Sequence, residues 1–298
     1  MSDRPGGLLV PLATSFDPAT GDVAPVHLRD NARAILAAGA TGLVAAGSTG
    51  EASLLADDEY RQLVQWLRDV VPDGCWLIAG AGRESTRATA AACRTAAEEG
   101  ADAVLVRAPS YYAPVITSAG LIDHFRRVAD ESPIPVLLYN FPKYTGLPLT
   151  EALASALARH ENVWGIKDSS GDLKNFAAYR DAAPSWSLFM GSGGRYYAAL
   201  ELGAAGAIAA VGNFAARTAA EIGRAFQAGN KAAAGAAQET VAPLHSEIVG
   251  KLGVPGVKAA MDLVGLAGGP VRPPLADLDS RQRKRLAVML AKAHIAVS

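Results

Sequence analysis

The chain has 298 residues, of which half are hydrophobic and 19% are charged, with 28 Lys and Arg against 29 Asp and Glu. A formal charge of −1 provides no field for a polyanion, and there is no Lys/Arg run or basic aromatic stripe, which excludes nucleic acid as a partner. No apolar run reaches the roughly 20 residues needed to cross a bilayer, and Met1 to Pro11 offers too little for a secretory leader, so no membrane role and a cytoplasmic location are expected.

Along the chain, short apolar or β-branched runs alternate with Gly/Pro/Ser loops and longer Ala-rich stretches of helical spacing, the rhythm of βα units. Strands are predicted at Leu8 to Phe16, Thr41 to Gly47, Trp76 to Gly82, Asp102 to Pro109, Pro135 to Pro142, Val163 to Ser169, Ser187 to Ser192 and Gly206 to Asn213. Helices are predicted between them. Asp57 to Val71 opens on three acidic residues, and Ser85 to Glu99 stops at Gly100. Eight such units, with no GxGxxG after the first strand, fit a closed (β/α)8 barrel better than an open sheet. After Gly229 the strand signal ends, and Lys231 to Lys251, Val257 to Leu266 and Leu278 to Ala296 read as three helices. The expected organisation is a barrel over 1–228 and a helical extension over 229–298.

In a parallel barrel the carboxyl ends of the strands carry the chemistry. Lys167 lies in the apolar run Val163-Trp164-Gly165-Ile166-Lys167, where an ammonium is costly. Desolvation favours the neutral amine, which can attack a ketone, and the resulting iminium is an electron sink for breaking a neighbouring C–C bond without a metal or cofactor. The alternative is a snorkelling or ion-paired lysine, with Asp168 the nearest carboxylate in sequence. Strand alternation, however, turns Asp168 away and brings Ser169 back to the Lys167 side.

Tyr139 stands at another strand end, either as a proton relay or as core packing. Asn140 points the opposite way and suits tying loops together. The Tyr111-Tyr112 pair reads as a rim or interface feature. Gly47-Ser48-Thr49-Gly50 is either a carboxylate cradle or an ordinary turn, and Glu51 reads as a structural acceptor or helix start. Gly191-Ser192-Gly193-Gly194 lacks the Lys-Ser/Thr of a phosphate loop and suits close backbone approach to a small substrate, centred on Gly191. His27, His124, His160, His245 and His294 show no ligand spacing, and Cys75 and Cys93 form no CxxC, so neither a metal nor a disulfide framework is expected.

The motifs Gly47-Ser48-Thr49-Gly50-Glu51, Tyr139-Asn140-Phe141-Pro142 and Gly165-Ile166-Lys167-Asp168, in this order and spacing, resemble the dihydrodipicolinate synthase/N-acetylneuraminate lyase family over nearly the whole chain. The resemblance implies an imine between Lys167 and pyruvate or the pyruvyl part of a 2-oxo acid. It also implies proton transfer by Tyr139 and carboxylate binding by Ser48 and Thr49. Tyr112 would complete a relay with Ser48 and Tyr139 across a subunit interface, and a backbone carbonyl near Ile208 would border the pyruvate pocket. The implied assembly is a homotetramer built as a dimer of dimers.

The synthase branch of the family carries an Arg two places after the motif proline; here that place is Tyr144, preceded by Lys143. A phenol cannot give the bidentate grip of a guanidinium on a distal carboxylate. The segments Ala79 to Thr86, Ser132 to Tyr139 and Lys167 to Asp172 look closer to 4-hydroxy-2-oxoglutarate aldolases, which release pyruvate and glyoxylate, and Ser169 then joins the site. The alternatives are the synthase itself, a 2-oxo-3-deoxy sugar acid aldolase or dehydratase, and a non-catalytic 2-oxo acid sensor. Arg107 falls where the family usually has an apolar residue, and either pairs on the helix side, the favoured reading, or reaches a ligand carboxylate.

Overall fold

A computed structural model describes residues 4–297; the first three residues of the predicted barrel range and the last residue of the extension lie outside the described residues. Eight strands, β1 (Gly7–Pro11), β2 (Gly42–Ala45), β3 (Trp76–Gly80), β4 (Ala103–Arg107), β5 (Val136–Asn140), β6 (Val163–Asp168), β7 (Ser187–Met190) and β8 (Gly206–Ile208), alternate with helices. They close into one parallel barrel in sequence order, with β8 pairing back onto β1. The chain is a (β/α)8 barrel followed by further helices.

Both faces of each strand are buried, which is why the strands read as near-continuous apolar runs. Alternate residues serve two cores. Leu9, Val44, Ile78, Leu105, Leu137, Tyr139, Phe189 and Ile208 fill the barrel interior. Leu8, Val10, Leu43, Val104, Val106, Leu138 and Ile166 face the helix layer. Space inside is tight: at Gly165 of β6 a β-carbon would strike the Ser187 backbone of β7, so only glycine fits there.

The predicted strands overran their carboxyl ends. The first was expected to reach Phe16 and ends at Pro11, and the second was expected to reach Gly47 and ends at Ala45, because Ala46 turns into the left-handed region at φ 48°. Apolar composition cannot separate a strand from the buried loop that follows it. Helix starts were better marked. The Glu59 carboxylate accepts the Ala56 N–H (2.9 Å) ahead of Asp57–Arg68, and Ser85 Oγ accepts the Ala88 N–H (3.1 Å) ahead of Thr86–Glu98.

The predicted Lys231 to Lys251 helix is α-helical only over Lys231–Leu244, and the chain widens into π-helical turns over His245–Leu252. Pro243, which has no N–H to donate, stands just before the change. The next helix starts earlier than predicted, at Gly253, and runs to Leu263; the last spans Ser280–Lys292.

This carboxyl-terminal segment is fastened to the loop after β2. Lys258 Nζ donates to Glu51 Oε1 (2.8 Å), the backbone N–H of Arg272 donates to Glu51 Oε2 (2.8 Å), and the Lys258 and Glu51 side chains are 1% and 0% exposed. The acceptor role foreseen for Glu51 holds. Lys258→Met strands a buried carboxylate and is expected to cost about 3–5 kcal/mol. Urea unfolding at neutral pH measures it, and Glu51→Gln added to Lys258→Met should recover part of the loss, because the amide oxygen still accepts from Arg272.

Candidate active site

Lys167 and Tyr139 are register partners on β6 and β5, so both point into the barrel mouth. Lys167 Nζ lies 4.1 Å from the centroid of the Tyr139 ring. One residue further along, Asn140 and Asp168 pair on the opposite side: Asn140 Nδ2 donates to Asp168 Oδ1 (2.8 Å), and Asn140 Oδ1 accepts the Leu149 N–H (2.9 Å). Asp168 also accepts from the Ser170 N–H (2.9 Å) and hydroxyl (2.8 Å). The alternation argument holds, and Asp168 braces β6 rather than pairing with Lys167.

A cavity of about 250 Å3 gathers Ser48, Thr49, Tyr139, Tyr144, Lys167, Ser169, Gly191 and Ile208, eight of the nine residues singled out from the sequence. A wider cavity of about 530 Å3 adjoins it, sharing Ser48, Tyr139 and Tyr144 but not Lys167. The smaller one holds the reactive groups.

The loop after β2 is a compact turn. Gly50 N–H donates to Gly47 O (3.0 Å), Glu51 N–H donates to Ser48 O (3.2 Å), and Thr14 Oγ1 donates to Gly50 O (2.8 Å). Anchored at Glu51, this turn presents Ser48 and Thr49 to the cavity. After β6, Ser169 N–H donates to Asn140 O (2.9 Å), and Gly191 N–H donates to Asp168 O (2.7 Å). A side chain at Gly191 would collide with Ser169 Oγ, so glycine there lets the two loops touch. Tyr139, Phe141 and Tyr144 form an aromatic ladder from the cavity to its rim, with centroids 5.6 Å and 4.3 Å apart.

Burial alone lowers the Lys167 amine to about 7, so half of it is neutral near physiological pH. Burial raises the Tyr139 phenol, opposed by hydrogen bonds with the Ser48 and Ser169 hydroxyls. Only the free amine can attack a carbonyl, so for a reaction that begins with such an attack kcat/KM is expected to rise through about pH 7 and level off. A phenol held above its usual range leaves the alkaline side flat to at least about pH 10. A pH profile of kcat/KM checks this, and a flat line from pH 6 to 8 would contradict it.

Tyr112 is the exception. It is 64% exposed, packs edge-on against Tyr111 (4.9 Å), and does not line this chain's cavity. Its loop is clamped by Glu84, which accepts from Ser110 N–H, Tyr111 N–H, Ser110 Oγ and Arg107 Nη2, each at 2.9 Å. Partial burial of Glu84 opposes ionisation, but these donors outweigh it and hold the carboxyl down at about 2. Arg107 is therefore ion-paired, as the structural reading held, but not on the helix side: it is the register partner of Tyr139, alternates with the helix-facing Val106, and borders the wider cavity while pairing with Glu84.

Sequence reasoning missed the contribution of the carboxyl-terminal segment. His245, Val249, Gly250, Gly253, Val254 and Val257 line the cavity, and Lys143 Nζ reaches Gly250 O at 3.4 Å. Only Pro243, out of place in an α-helix, hinted at the irregular turn. Among the described residues no group of three or more His, Cys, Asp or Glu side chains is arranged to hold a metal, and no helix is long and apolar enough to cross a membrane.

The model of the dihydrodipicolinate synthetase family matches residues 4–293. The chain belongs to that family. An uncharacterized DapA-like lyase of Halobacterium salinarum is 35% identical over 285 residues, 96% of this chain and 93% of that one. A 4-hydroxy-tetrahydrodipicolinate synthase of Methanothrix thermoacetophila is 34% identical over 89% of each chain. Among solved structures, the prophage protein YagE of E. coli K12 in complex with pyruvate matches with TM-score 0.92 and 29% identity over 98% and 99% of the two chains. The dihydrodipicolinate synthase of Acinetobacter baumannii complexed with pyruvate matches with TM-score 0.92 and 30% identity over 97% and 99%. As a dihydrodipicolinate synthetase family member, the chain is a carbon–carbon lyase of the class I aldolase type, working through a lysine Schiff base with pyruvate.

Proposed function

We propose that Lys167 is the imine-forming lysine and that the reaction is the cleavage of 4-hydroxy-2-oxoglutarate to pyruvate and glyoxylate. The observation that carries this reading is the buried Lys167 amine, held near neutrality and 4.1 Å from the Tyr139 ring centroid. The substrate is argued from the absence of an arginine at Tyr144, and from a cavity lined by Lys143 and Lys167 with no Asp or Glu, which suits a small dianion.

The neutral amine attacks the C2 carbonyl, and the Tyr139 phenol protonates the carbinolamine hydroxyl, which leaves as water. The iminium and the phenolate then sit side by side as an ion pair. The phenolate takes the proton of the C4 hydroxyl, the C3–C4 bond breaks, and its electron pair passes to the iminium as the enamine forms and glyoxylate departs. Tyr139 returns the proton to C3, and hydrolysis frees pyruvate and Lys167. Ser48 and Thr49 hold the pyruvyl carboxylate, with Ser169, Gly191 and the Ile208 carbonyl bordering it. Tyr112 enters from a neighbouring subunit of a cytoplasmic dimer of dimers. The helical extension from residue 229 completes the barrel mouth over 1–228.

A second reading, 4-hydroxy-tetrahydrodipicolinate synthase, is favoured by the name of the Methanothrix relative. A substrate panel separates the two. Cleavage of 4-hydroxy-2-oxoglutarate, followed by coupled reduction of the pyruvate released, is expected to exceed condensation of pyruvate with aspartate semialdehyde and cleavage of 2-oxo-3-deoxygluconate by at least about tenfold in kcat/KM, a difference of about 1.4 kcal/mol. Turnover of aspartate semialdehyde alone would overturn the Tyr144 argument.

A further inference from the structure

The loop after β7 and the π-helical turn meet at the wall of the cavity, where Ser192 and His245 both line it. Ser192 Oγ and His245 Nε2 are 3.1 Å apart. Two glycines flank the ring: a β-carbon at Gly193 would press on Val211 (2.8 Å), and β-carbons at Gly193 and Gly194 would rest in ordinary contact with His245 Nδ1 and Cδ2 (3.5 Å each).

His245 Nδ1 is buried with no hydrogen-bond partner. Burial also lowers the imidazole to about 4, so at neutral pH a single ring nitrogen carries a proton. An orphaned buried N–H is rarer and costlier than an unused lone pair, which assigns the proton to Nε2, facing Ser192. Ser192 Oγ then accepts from the imidazole, and its own hydroxyl proton is free to serve the cavity. On the β6 side a β-carbon at Gly171 would lie 4.0 Å from Ser192 Oγ.

We propose that Ser192, held as a hydrogen-bond donor by His245, is a specificity-determining residue that binds the distal carboxylate of a five-carbon 2-oxo dicarboxylic acid. His245 acts through Ser192 and is a positioning residue. The inference rests on the imine reading above, which places the pyruvyl half at Lys167 and leaves the distal half to the remaining polar wall. Lys143, the other cation lining the cavity, supplies charge to the same carboxylate, while Ser192 supplies direction.

2-Oxoglutarate carries that carboxylate but lacks the 4-hydroxyl, and pyruvate lacks the carboxylate altogether, so calorimetric titration with each isolates the contact. Ser192→Ala is expected to weaken 2-oxoglutarate binding by roughly ten- to a hundredfold, the value of a hydrogen bond to a charged group, and to leave pyruvate within about twofold. His245→Phe, which keeps the bulk but lets the serine hydroxyl turn, should give a smaller loss. His245→Gln, which restores an N–H donor, should reverse it. Unchanged 2-oxoglutarate affinity in Ser192→Ala, an equal loss for pyruvate, or a wild type that does not bind 2-oxoglutarate would each overturn the proposal. Borohydride treatment of the wild type with pyruvate reports separately on the imine. Failure to trap an adduct removes that reading, while the calorimetric comparison still decides the role of Ser192.

Discussion

Lys167→Ala is expected to lower kcat/KM by roughly four orders of magnitude or more, in line with loss of a covalent nucleophile, and to abolish borohydride-dependent capture of pyruvate. The side chain is 5% exposed, and its lowered pKa comes from burial alone. A lysine kept for stability would be paired or would reach solvent, since an unpaired buried ammonium weakens the fold. The linkage has a definite sign. With a folded-state pKa of about 7 against 10.5 for an unburied lysine, the unfolded chain binds more protons between these values, so the group's penalty on stability is fully present below about pH 7 and is relieved as pH rises from about 7 toward 10.5. Lys167→Met, which keeps much of the volume and removes the charge, should therefore unfold later than wild type in urea at pH 6 while remaining inactive. Mass spectrometry of the reduced adduct checks the chemistry. Retention of the pyruvate adduct in Lys167→Ala would sink the assignment.

How much of this was legible in the sequence depended on whether the signal was local. Strand alternation around Lys167 and Tyr139 is a two-residue rule, and it placed Asp168, Asn140 and Ser169 on their observed sides. The turn Gly47 to Glu51 was open to two readings, because its geometry is set from Lys258, 207 positions away. The ends of the strands were misjudged where apolar residues such as Ala46 continue past the last ladder hydrogen bond. His245 was invisible for a related reason. A lone histidine after an Ala-rich helix carries no spacing signal, and only the widened turn brings it to Ser192. Tyr112 is exposed and packs on Tyr111, and the relay proposed for it requires a neighbouring subunit.

Tyr139→Phe is the complementary test, expected to reduce kcat by roughly 10^2- to 10^4-fold, the range for loss of a positioned acid–base group, while binding of pyruvate changes little. The phenol is buried, its pKa is raised by that burial, and hydrogen bonds with the Ser48 and Ser169 hydroxyls oppose the rise. Phenylalanine keeps the ring against Phe141 and above the Lys167 amine, so packing is retained and the proton is lost. The two steps that need the phenol differ in an informative way. Dehydration of the carbinolamine can be assisted slowly by water, so borohydride should still trap an adduct in Tyr139→Phe, given time. Breaking C3–C4 requires a base at the C4 hydroxyl, which water replaces poorly inside a cavity of about 250 Å3. The variant should therefore accumulate imine with substrate without releasing glyoxylate at a comparable rate. Stopped-flow or quenched-flow assays that measure adduct and aldehyde separately read that difference, and wild-type rates of aldehyde release in Tyr139→Phe would return the tyrosine to a packing role.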